Sequence, residues 1–514
     1  MKHFFLLVVL WFTGTHTFAQ IDITWGVPVK AEKRTQLLDL VGADKEAVYA
    51  TRVRIAGMRV SEYRIEKYRK SDMNLVYSKP IPAQVGDSKI TITNFFFVKN
   101  TLMVFGTYYD REKRSTTCYA QLIGADGNVA KPWTPVDVLQ DTKSRNRGSF
   151  YHYVNDDSSG VLVVTNPPYD KYSSEAFKLT LIDHDLKTKW VRDMKLPYKD
   201  KDFSLKKFII TKKDEVYVLA YVQMDKENIS KEDRKKKPTY FHDVLVYDAV
   251  YDSLKEYHLT LTPKYITEVT ITLDNAGNIL SGGFYSNKNS RDMAGTFFMK
   301  IDRKTKQVVS SSYKEFTPDF LLNFMSEKSV KKQRELSDYE LRYLVLRDDG
   351  GLIMVAEEFF VETVCTTDPR TGATSCTDYY HYDDIIMVSI DPNGEIAWTT
   401  HIPKDQTSRN DGGYFLSFAL AVSGPNIYIM FNDNPKNLDP NNTKLRSMTQ
   451  PMKSVAVLVT VSKDGDFNKQ AMFKTSDLKI ILRPKLYLQE NEKQLYLFGQ
   501  KGTTYKLADV NIGT

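Results

Sequence analysis

Two short segments contain the residues whose types and spacing best suit the binding of an anionic ligand. The segment Ser144 to Tyr151 resembles the segment Ser408 to Phe415, and each places arginine and asparagine ahead of a glycine. The planar guanidinium group donates paired hydrogen bonds to a carboxylate, sulfate or phosphate. We therefore predict that these segments face each other across the channel mouth of the fold and bind a ligand. The predicted site residues are Arg145, Asn146, Arg147, Arg409, Asn410 and Asp411.

The same residues also admit a structural interpretation. Asparagine followed shortly by glycine is typical of turns, and the arginines would then only support the backbone.

Two further clusters combine tyrosine, histidine and acidic residues. They are Tyr240 to Asp243 and Tyr379 to Asp384, and His152 lies in another aromatic segment. Histidine with carboxylates can bind a metal or transfer protons, but no recognised ligand spacing is present. We predict no metal and no cofactor, and the sequence identifies no catalytic residue.

The cysteines predict one disulfide. Cys365 and Cys376 bracket a turn-rich stretch, so we expect them to pair in an oxidising compartment. Cys118 lies in a predicted strand and is expected to be buried and inert.

A repeat carries all these candidate residues. Each repeat begins with a short apolar run that follows turn residues, and a second strand–turn–strand hairpin comes after it. The eight runs are Val48 to Ala50, Leu102 to Gly106, Val161 to Val164, Val216 to Ala220, Ile279 to Phe284, Leu352 to Ala356, Ile427 to Phe431 and Leu495 to Gly499. Four strands per unit, named a to d outward, are typical of a propeller blade. We predict an all-β fold, a single eight-bladed β-propeller over residues 20–514, with seven blades as the alternative.

Tryptophan marks one position of this repeat. Three tryptophans follow an aspartate at the end of strand c by seven residues. The pairs are Asp126 and Trp133, Asp183 and Trp190, and Asp391 and Trp398. We expect these large rings to pack between neighbouring blades as part of the scaffold.

The aspartate–tryptophan hairpin resembles the tryptophan-docking repeat of quinoprotein-like eight-bladed propellers, which include dehydrogenases and outer-membrane assembly factors. The family's alanine two residues before the aspartate is replaced by Gly124, Leu181 and Ser389. The adjacent cysteine pair of the quinone-binding enzymes is missing from the sequence. The resemblance therefore implies the architecture without a quinone. The segment Ser389 to Gly394 is also similar to the Asp-box of sialidases, with one residue more before the glycine.

A further tryptophan, Trp25, indicates how the ring closes. Ile23 to Trp25 resembles Ile396 to Trp398 in an outer strand, whereas the C-terminus stops where a c–d turn would begin. We predict that the N-terminal strand completes the last blade, since an unpaired edge would otherwise remain.

Four loop insertions fall on one face of the predicted propeller. They cover residues 226–239, 317–336, 361–382 and 432–453, and the second is the best candidate for a helix. Loops on a rigid scaffold often carry binding sites, so we expect this face to recognise a partner.

Composition and the first residues limit the classes of function that the chain can have. Residues 1–19 read as a signal peptide cleaved after Ala19, and no later run is apolar and long enough to span a membrane. The net charge of +7 is mild, and nucleic acid is not expected as a partner of an exported chain. We predict a monomeric, non-catalytic binding or assembly propeller of the periplasm or cell surface, engaging an envelope protein, a surface protein or a glycan. A carbohydrate-active hydrolase or lyase with its site in the channel is the alternative.

Overall fold

The computed structural model describes residues 21–57, 59–225, 229–305, 307–442 and 444–512. The predicted signal peptide lies outside this range. Strands dominate the described residues, and eight antiparallel sheets of four or five strands follow one another along the chain. None of the helices in these residues is both long and apolar enough to cross a membrane.

The first half of the chain supplies two short N-terminal strands and sheets 1 to 4. The N-terminal strands are β1 (Ile21–Trp25) and β2 (Val29–Lys30). Sheet 1 consists of β3 (Thr35–Ala43), β4 (Ala47–Ala56), β5 (Arg59–Arg69) and β6 (Leu75–Ile81), and is followed by the small pair β7 (Gln84–Val85) and β8 (Ser88–Lys89). Sheet 2 consists of β9 (Thr91–Val98), β10 (Thr101–Asp110), β11 (Ser115–Ile123) and β12 (Val129–Leu139). Sheet 3 consists of β13 (Ser149–Val154), β14 (Gly160–Asn166), β15 (Ser174–Asp183) and β16 (Thr188–Lys199). Sheet 4 consists of β17 (Phe203–Ile210), β18 (Glu215–Gln223), β19 (Tyr240–Asp248) and β20 (Ser253–Leu259).

The second half supplies sheets 5 to 8. Sheet 5 consists of β21 (Tyr265–Leu273), β22 (Ile279–Ser286), β23 (Gly295–Ile301) and β24 (Val308–Glu315). Sheet 6 consists of β25 (Tyr339–Leu346), β26 (Leu352–Thr367), β27 (Thr374–Ile390), β28 (Ile396–Ile402) and β29 (Thr407–Arg409). Sheet 7 consists of β30 (Ala419–Ser423), β31 (Asn426–Asp433), β32 (Val455–Val461) and β33 (Phe467–Lys474). Sheet 8 combines β34 (Ile481–Asn491), β35 (Gln494–Lys501) and β36 (Thr504–Ile512) with β1 and β2.

Sheet 8 therefore joins the two ends of the chain. Strand β1 pairs antiparallel with β36, from Ile21 opposite Ile512 to Trp25 opposite Ala508. In the other sheets, strands a to d come from one continuous stretch of chain.

Apolar clusters join each sheet to the next. Strand b is buried on both of its faces, as in β22, where every residue is buried, so it reads as a continuous apolar run. Separate clusters lie between sheets 1 and 2, 2 and 3, and so on to 7 and 8. Another cluster, which contains Leu40 and Phe498, lies between sheets 8 and 1. Four-stranded sheets that pack face to face in series form a β-propeller.

The aspartate–tryptophan hairpin has a local physical cause. The carboxylate of Asp391 accepts hydrogen bonds from the backbone N–H groups of Asn393 and Glu395, and so holds the c–d turn closed. Trp398 then packs against the c–d turn of sheet 7, where its Nε1 donates to the Lys463 carbonyl at 2.8 Å. Gly465 in that turn has a φ of +89°, and a Cβ there would lie 2.7 Å from the indole. The four tryptophans of the described residues pack between neighbouring sheets, as predicted.

The loops that link strands b to c and strand d to the next sheet share one face, which we call the loop face. The a–b and c–d turns share the opposite, turn face. The predicted helix over residues 317–336 is instead two short helices, α2 (Pro318–Leu321) and α3 (Glu327–Lys331), after α1 (Asp233–Lys236) in sheet 4. Ser326 caps a new helix and so divides the segment. A last helix, α4 (Thr475–Leu478), precedes sheet 8, and short 3-10 turns occur at Asp200–Asp202, Pro435–Leu438 and Pro451–Lys453.

The insertion at residues 361–382 is mostly strand and not loop. Strands β26 and β27 extend beyond sheet 6 as a hairpin arm, and Cys365 lies directly opposite Cys376 in its register. The two cysteines form the predicted disulfide, while Cys118 is free and buried.

The cluster between sheets 2 and 3 buries one titratable ring. His152 in β13 is 6% exposed, with its Nδ1 3.0 Å from Asn94 Oδ1 and its Nε2 3.5 Å from Cys118 Sγ. Burial lowers the pKa of His152 from 6.5 to about 3. The ring is therefore structural, and it is neutral in the folded protein above this pH.

This depressed pKa predicts a pH-dependent stability. The unfolded chain protonates His152 as the pH falls below 6.5, whereas the folded chain resists protonation to about pH 3, so stability declines across that range. We expect His152→Gln to reduce the slope by up to about 1.4 kcal/mol per pH unit, measured by urea unfolding. His184→Gln, at a side chain that is 39% exposed, is the control and should keep the wild-type slope. Equal slopes for His152→Gln and wild type would contradict this account.

Candidate functional site

The loop face carries a groove that contains one of the predicted arginines. Arg147 precedes β13 and lies with its guanidinium carbon 4.3 Å from the centre of the Tyr109 ring. Together they line a groove of about 430 Å³ between sheets 2 and 3. Its other lining residues are Lys89, Thr91, Thr93, Thr107, Tyr108, Thr116, Gly148, Ser149 and Phe150. We call it the Arg147 groove.

The side chains that line the Arg147 groove are mostly cationic or carry hydroxyl groups. It combines two cationic side chains, Lys89 and Arg147, with the hydroxyl groups of threonine, serine and tyrosine. Among the residues that the structure describes, none that lines the groove is acidic. Such a surface offers donors and positive charge to a ligand that is rich in oxygen and anionic.

The two predicted segments differ in their surroundings. Asn146 exchanges two hydrogen bonds with the backbone of Tyr169 in sheet 3. Arg409 belongs to β29, which pairs with β27 of sheet 6, and the first strand of sheet 7 begins only at Ala419. The first segment thus leads into strand a of sheet 3, whereas the second pairs with the hairpin arm of sheet 6.

The remaining predicted residues have separate contacts. Asn410 exchanges hydrogen bonds with the backbone of Asp378, and Asp411 accepts one from the Gly413 N–H at 2.9 Å. Arg145 and Arg409 are exposed. Both asparagines thus bind backbone groups, as the structural interpretation expects, and Arg147 is the predicted residue that lines a groove.

Strand a carries a bulge in five of the sheets. In sheets 1, 2, 4, 5 and 6 this strand carries a bulge at the same place in the repeat. The bulged residues are Leu38, Thr93, Lys206, Thr267 and Arg342. Side chains of a strand alternate between its two faces, and a bulge interrupts this alternation at one residue. The bulge therefore changes the direction of one side chain on strand a, the innermost strand of the sheet. Strands a of several neighbouring sheets contact each other, so these positions lie along one edge of the fold.

The bulged Arg342 belongs to a buried charge network between sheets 6 and 7. Its Nε lies 3.0 Å from Oε2 of Glu357, a carboxylate with no exposed surface. The Lys404 ammonium lies 3.0 Å from Oε1 of the same carboxylate, and the Ser417 hydroxyl donates to Oε2 at 2.8 Å. Glu340 binds the other side of the guanidinium at 2.7 Å. Two cations thus share one buried carboxylate.

Sheet 8 adds cations next to this network. Arg483 is buried with its guanidinium carbon 3.2 Å from the centre of the Tyr414 ring, and burial lowers its pKa to about 10. Lys485 donates to the Tyr382 hydroxyl at 3.2 Å and to the Gly412 carbonyl at 3.3 Å. Within the described ranges, neither cation has a carboxylate in ion-pair distance.

A carboxyl group on β21 lies within the electrostatic reach of the network. Burial raises the pKa of Glu268, and the neighbouring Glu340 carboxylate adds to the shift, while Lys206 and Arg342 oppose it. A partly buried carboxyl group with a raised pKa beside a second carboxylate is an arrangement that general acids use.

The histidine clusters are parts of the sheets. His242 is buried in β19, and burial lowers its pKa to about 4. His381 stacks on Phe360 with ring centroids 4.4 Å apart in the hairpin arm. The described residues contain no group of three or more histidine, cysteine or acidic side chains arranged to hold a metal.

Sequence reasoning missed Lys89, although a signal for it exists. Lys89 precedes strand a of sheet 2 by two residues, as Arg147 precedes strand a of sheet 3. Alignment of the repeats on strand a would have paired them. Arg342 and Lys485 had no such signal, since a bulge depends on the register between two strands.

Comparison with known proteins finds solved structures of low overall similarity. No family model and no curated protein matches the chain. The WD40 domain of SCAP from fission yeast is 10% identical, with a TM-score of 0.41 over 96% of this chain and 95% of that one. The polysaccharide lyase Uly1 is 9% identical, with a TM-score of 0.38 over 95% and 99%. The β-propeller domain of the Trilobed protease from Pyrococcus furiosus is 12% identical, with a TM-score of 0.35 over 86% and 96%. No functional argument follows from similarities at this level.

The buried network predicts that loss of Glu357 lowers the free energy of unfolding more than loss of Glu340. Glu357→Gln leaves the Lys404 and Arg342 charges without their buried carboxylate, so we expect a loss of about 3–5 kcal/mol in the free energy of unfolding. Glu340→Gln removes a carboxylate whose side chain is 46% exposed and should cost less than about 1 kcal/mol. Urea unfolding of both variants measures the difference. Equal losses would contradict the assignment of Glu357 as the carboxylate on which the network depends.

Proposed function

We propose that this protein is an exported, non-catalytic binding propeller whose loop face engages an anionic glycan through the Arg147 groove. The proposal includes one closed ring of eight blades, cleavage of residues 1–19, and a location in the periplasm or at the cell surface.

Ring closure is supported by pairing at both chain ends. The outer strand of sheet 8 is β1, and the cluster between sheets 8 and 1 repeats the apolar packing between the other sheets. A closed ring removes the edges that an open series of sheets would expose. A rigid ring then holds the loop face in a fixed shape.

The observation that carries the binding proposal is the lining of the Arg147 groove. Two cations and many hydroxyl groups, with no acidic residue among the described lining, match a ligand that presents carboxylate or sulfate groups on a hydroxylated framework. Tyr108 and Tyr109 add aromatic surface on which sugar rings can stack. A protein partner would more commonly contact an apolar centre with a polar rim, which this groove lacks.

Export is supported by two features of the chain. The Cys365–Cys376 disulfide belongs to an oxidising compartment, and a signal peptide would deliver the chain there. Acidic polysaccharides are ligands found in those compartments.

A second candidate function is a carbohydrate-active hydrolase or lyase. Glu268, with its raised pKa beside Glu340, favours it, since general acids of this kind act in glycoside cleavage. A binding role is preferred because the described residues that line the Arg147 groove include no carboxyl group that could act as an acid or base.

The binding proposal is tested on arrays of acidic and neutral glycans. We expect residues 20–514 to bind acidic glycans, with affinity falling as salt is raised, since charge contacts are screened. Lys89→Ala combined with Arg147→Ala should weaken binding at least about tenfold, which is a loss of about 1.4 kcal/mol. Lys113→Ala combined with Lys143→Ala, on the same face and with the same change of charge, is the matched control and should bind like wild type.

Two further variants separate the remaining alternatives. Arg145→Ala combined with Arg409→Ala tests whether the other predicted arginines contribute. Glu268→Gln tests catalysis, because loss of glycan cleavage in this variant would favour the enzyme. Binding to neutral glycans alone, or binding unaffected by loss of Lys89 and Arg147, would refute the proposed site.

A further inference from the structure

The hairpin arm of sheet 6 has one edge that is partly covered and one that is free. The β27 edge is covered at its base by β29, which pairs with Tyr379 to His381. The β26 edge pairs with β25 only as far as Glu358, and the Phe359 N–H then donates to the Asp338 carbonyl at 2.8 Å. Beyond this point every residue from Val361 to Thr367 is exposed, and in the described chain no further strand lies beside them. We call this segment the free edge.

Every second residue of the free edge points its backbone groups away from the arm. Cys365 and Cys376 lie opposite each other with Cα atoms 4.0 Å apart, the short spacing of a pair that exchanges no backbone hydrogen bonds. The N–H and C=O of Cys365 therefore face outward, as do those of every second residue from Val361 to Thr367. Phe359 belongs to the same series and uses its N–H outside the arm. Within the described chain, the outward N–H groups of the free edge have no backbone acceptor.

The free edge lacks the features that protect the outer strands of the sheets from pairing with another chain. The outer strands of sheets 1 to 5 and of sheet 7 each contain lysine or proline. The outer strand β28 of sheet 6 begins beside a bulge, and β1 of sheet 8 has only five residues. Lysine, proline, bulges and short strands all discourage edge-to-edge pairing. The free edge has none of them and consists mostly of valine and threonine, which favour strands.

The free edge is complementary to itself in one antiparallel register. If a second copy pairs with all of Val361 to Thr367, the two-fold axis passes through Val364, the middle residue of the segment. Val364 then faces the same residue of the second copy, and Glu362 lies opposite Thr366. The two valines contact each other and no charges of the same sign are opposed, which favours pairing.

The neighbouring registers are less favourable. Sliding the two copies by two residues in one direction would place Glu362 opposite Asp368, so that two acidic residues face each other. Sliding them in the other direction would place Thr367 opposite Phe359, whose N–H is already bound to Asp338. A slide by one residue would oppose outward backbone groups with inward ones. The free edge therefore selects one register with its own copy.

Charges at the two ends of the arm fit the same register. Arg370 is exposed in the turn at the tip, where Asp368 accepts hydrogen bonds from the backbone N–H groups of Arg370 and Thr371. Asp338 is exposed beside the base of the free edge. With the axis at Val364, the tip of one arm reaches the base of the other, so Arg370 arrives at the level of an opposite charge.

We propose that the free edge pairs with the free edge of a second copy of this chain and so joins two copies into a symmetric dimer. The two β26 strands run antiparallel about an axis at Val364, and the two arms form one continuous sheet. Each free edge is covered by the other, so the assembly closes at two chains. This dimer takes the place of the monomer predicted from the sequence. The Arg147 groove lies between sheets 2 and 3, so the dimer is independent of the glycan site.

Analytical ultracentrifugation of residues 20–514 over a range of concentrations tests the proposal. We expect the weight-average mass to rise from that of one chain toward that of two, with a dissociation constant of about 100 µM, since two paired strands form a small interface. A mass that stays at one chain up to about 300 µM would overturn the proposal. A mass that passes beyond two chains would overturn it as well, because the pairing leaves no free edge.

A pair of variants at Thr363 tests whether the backbone of the free edge forms the contact. Thr363→Pro removes an outward N–H that takes no part in the ladder of the arm, so we expect dimerisation to weaken at least about tenfold. Thr363→Val is the matched control, because it loses the same hydroxyl bond to Asp378 but keeps the N–H, and it should dimerise like wild type. Equal dimerisation of the two variants would refute pairing through this edge.

An exchange of charge at the axis tests whether the partner is a second copy. Val364→Lys and Val364→Glu each bring like charges together, so each alone should dimerise at least about tenfold more weakly. An equimolar mixture should regain the dimer, since lysine then faces glutamate. Thr377→Lys adds the same charge opposite Val364 within the arm, away from the free edge, and is the control that should dimerise like wild type. These variants keep every backbone group, so they decide the question if Thr363→Pro does not fold, and a mixture that stays monomeric would refute the two-fold pairing.

Discussion

The structure depends on the burial of both faces of each sheet by its neighbours. Strands b and c are apolar on both sides, so a sheet alone would expose a large hydrophobic surface to water. Each sheet is consequently stable only between two others, and its order along the chain fixes which neighbours it has. The Arg147 groove forms between two sheets, so its shape depends on this packing.

The interfaces between sheets are equivalent in position but not in chemistry. Each contains a cluster of apolar side chains, and the interface between sheets 2 and 3 adds the buried His152. The interface between sheets 6 and 7 instead buries Glu357 with Lys404 and Arg342. Buried charges tolerate few alternative arrangements, because a displaced partner leaves an uncompensated charge. The segment around Asp411, which leads into sheet 7, lies at this interface. Strand a of sheet 7 begins only at Ala419, and the residues before it, in β29, pair with the hairpin arm of sheet 6.

Local features of the fold could be read from the sequence, whereas features that depend on register could not. The apolar runs of strand b, the aspartates of the c–d turns, the tryptophans and the cysteine pair each follow from residues close together in the chain. The division of residues 317–336 into two helices depends on a cap at Ser326, which competes with the apolar pattern around it. The bulge at Arg342 and the union of Lys89 with Arg147 depend on strands from different places in the chain. For the candidate site, the sequence therefore provided one cationic side of the groove but not its partner.

The pairing of β1 with β36 has a consequence for the order of events during biosynthesis. Sheet 8 needs Ile21 and Ile512 side by side, so it cannot form until almost the whole chain has emerged from the ribosome. Until then, sheets 1 and 7 each keep one apolar face without a neighbour. The nascent chain consequently remains incompletely folded throughout synthesis.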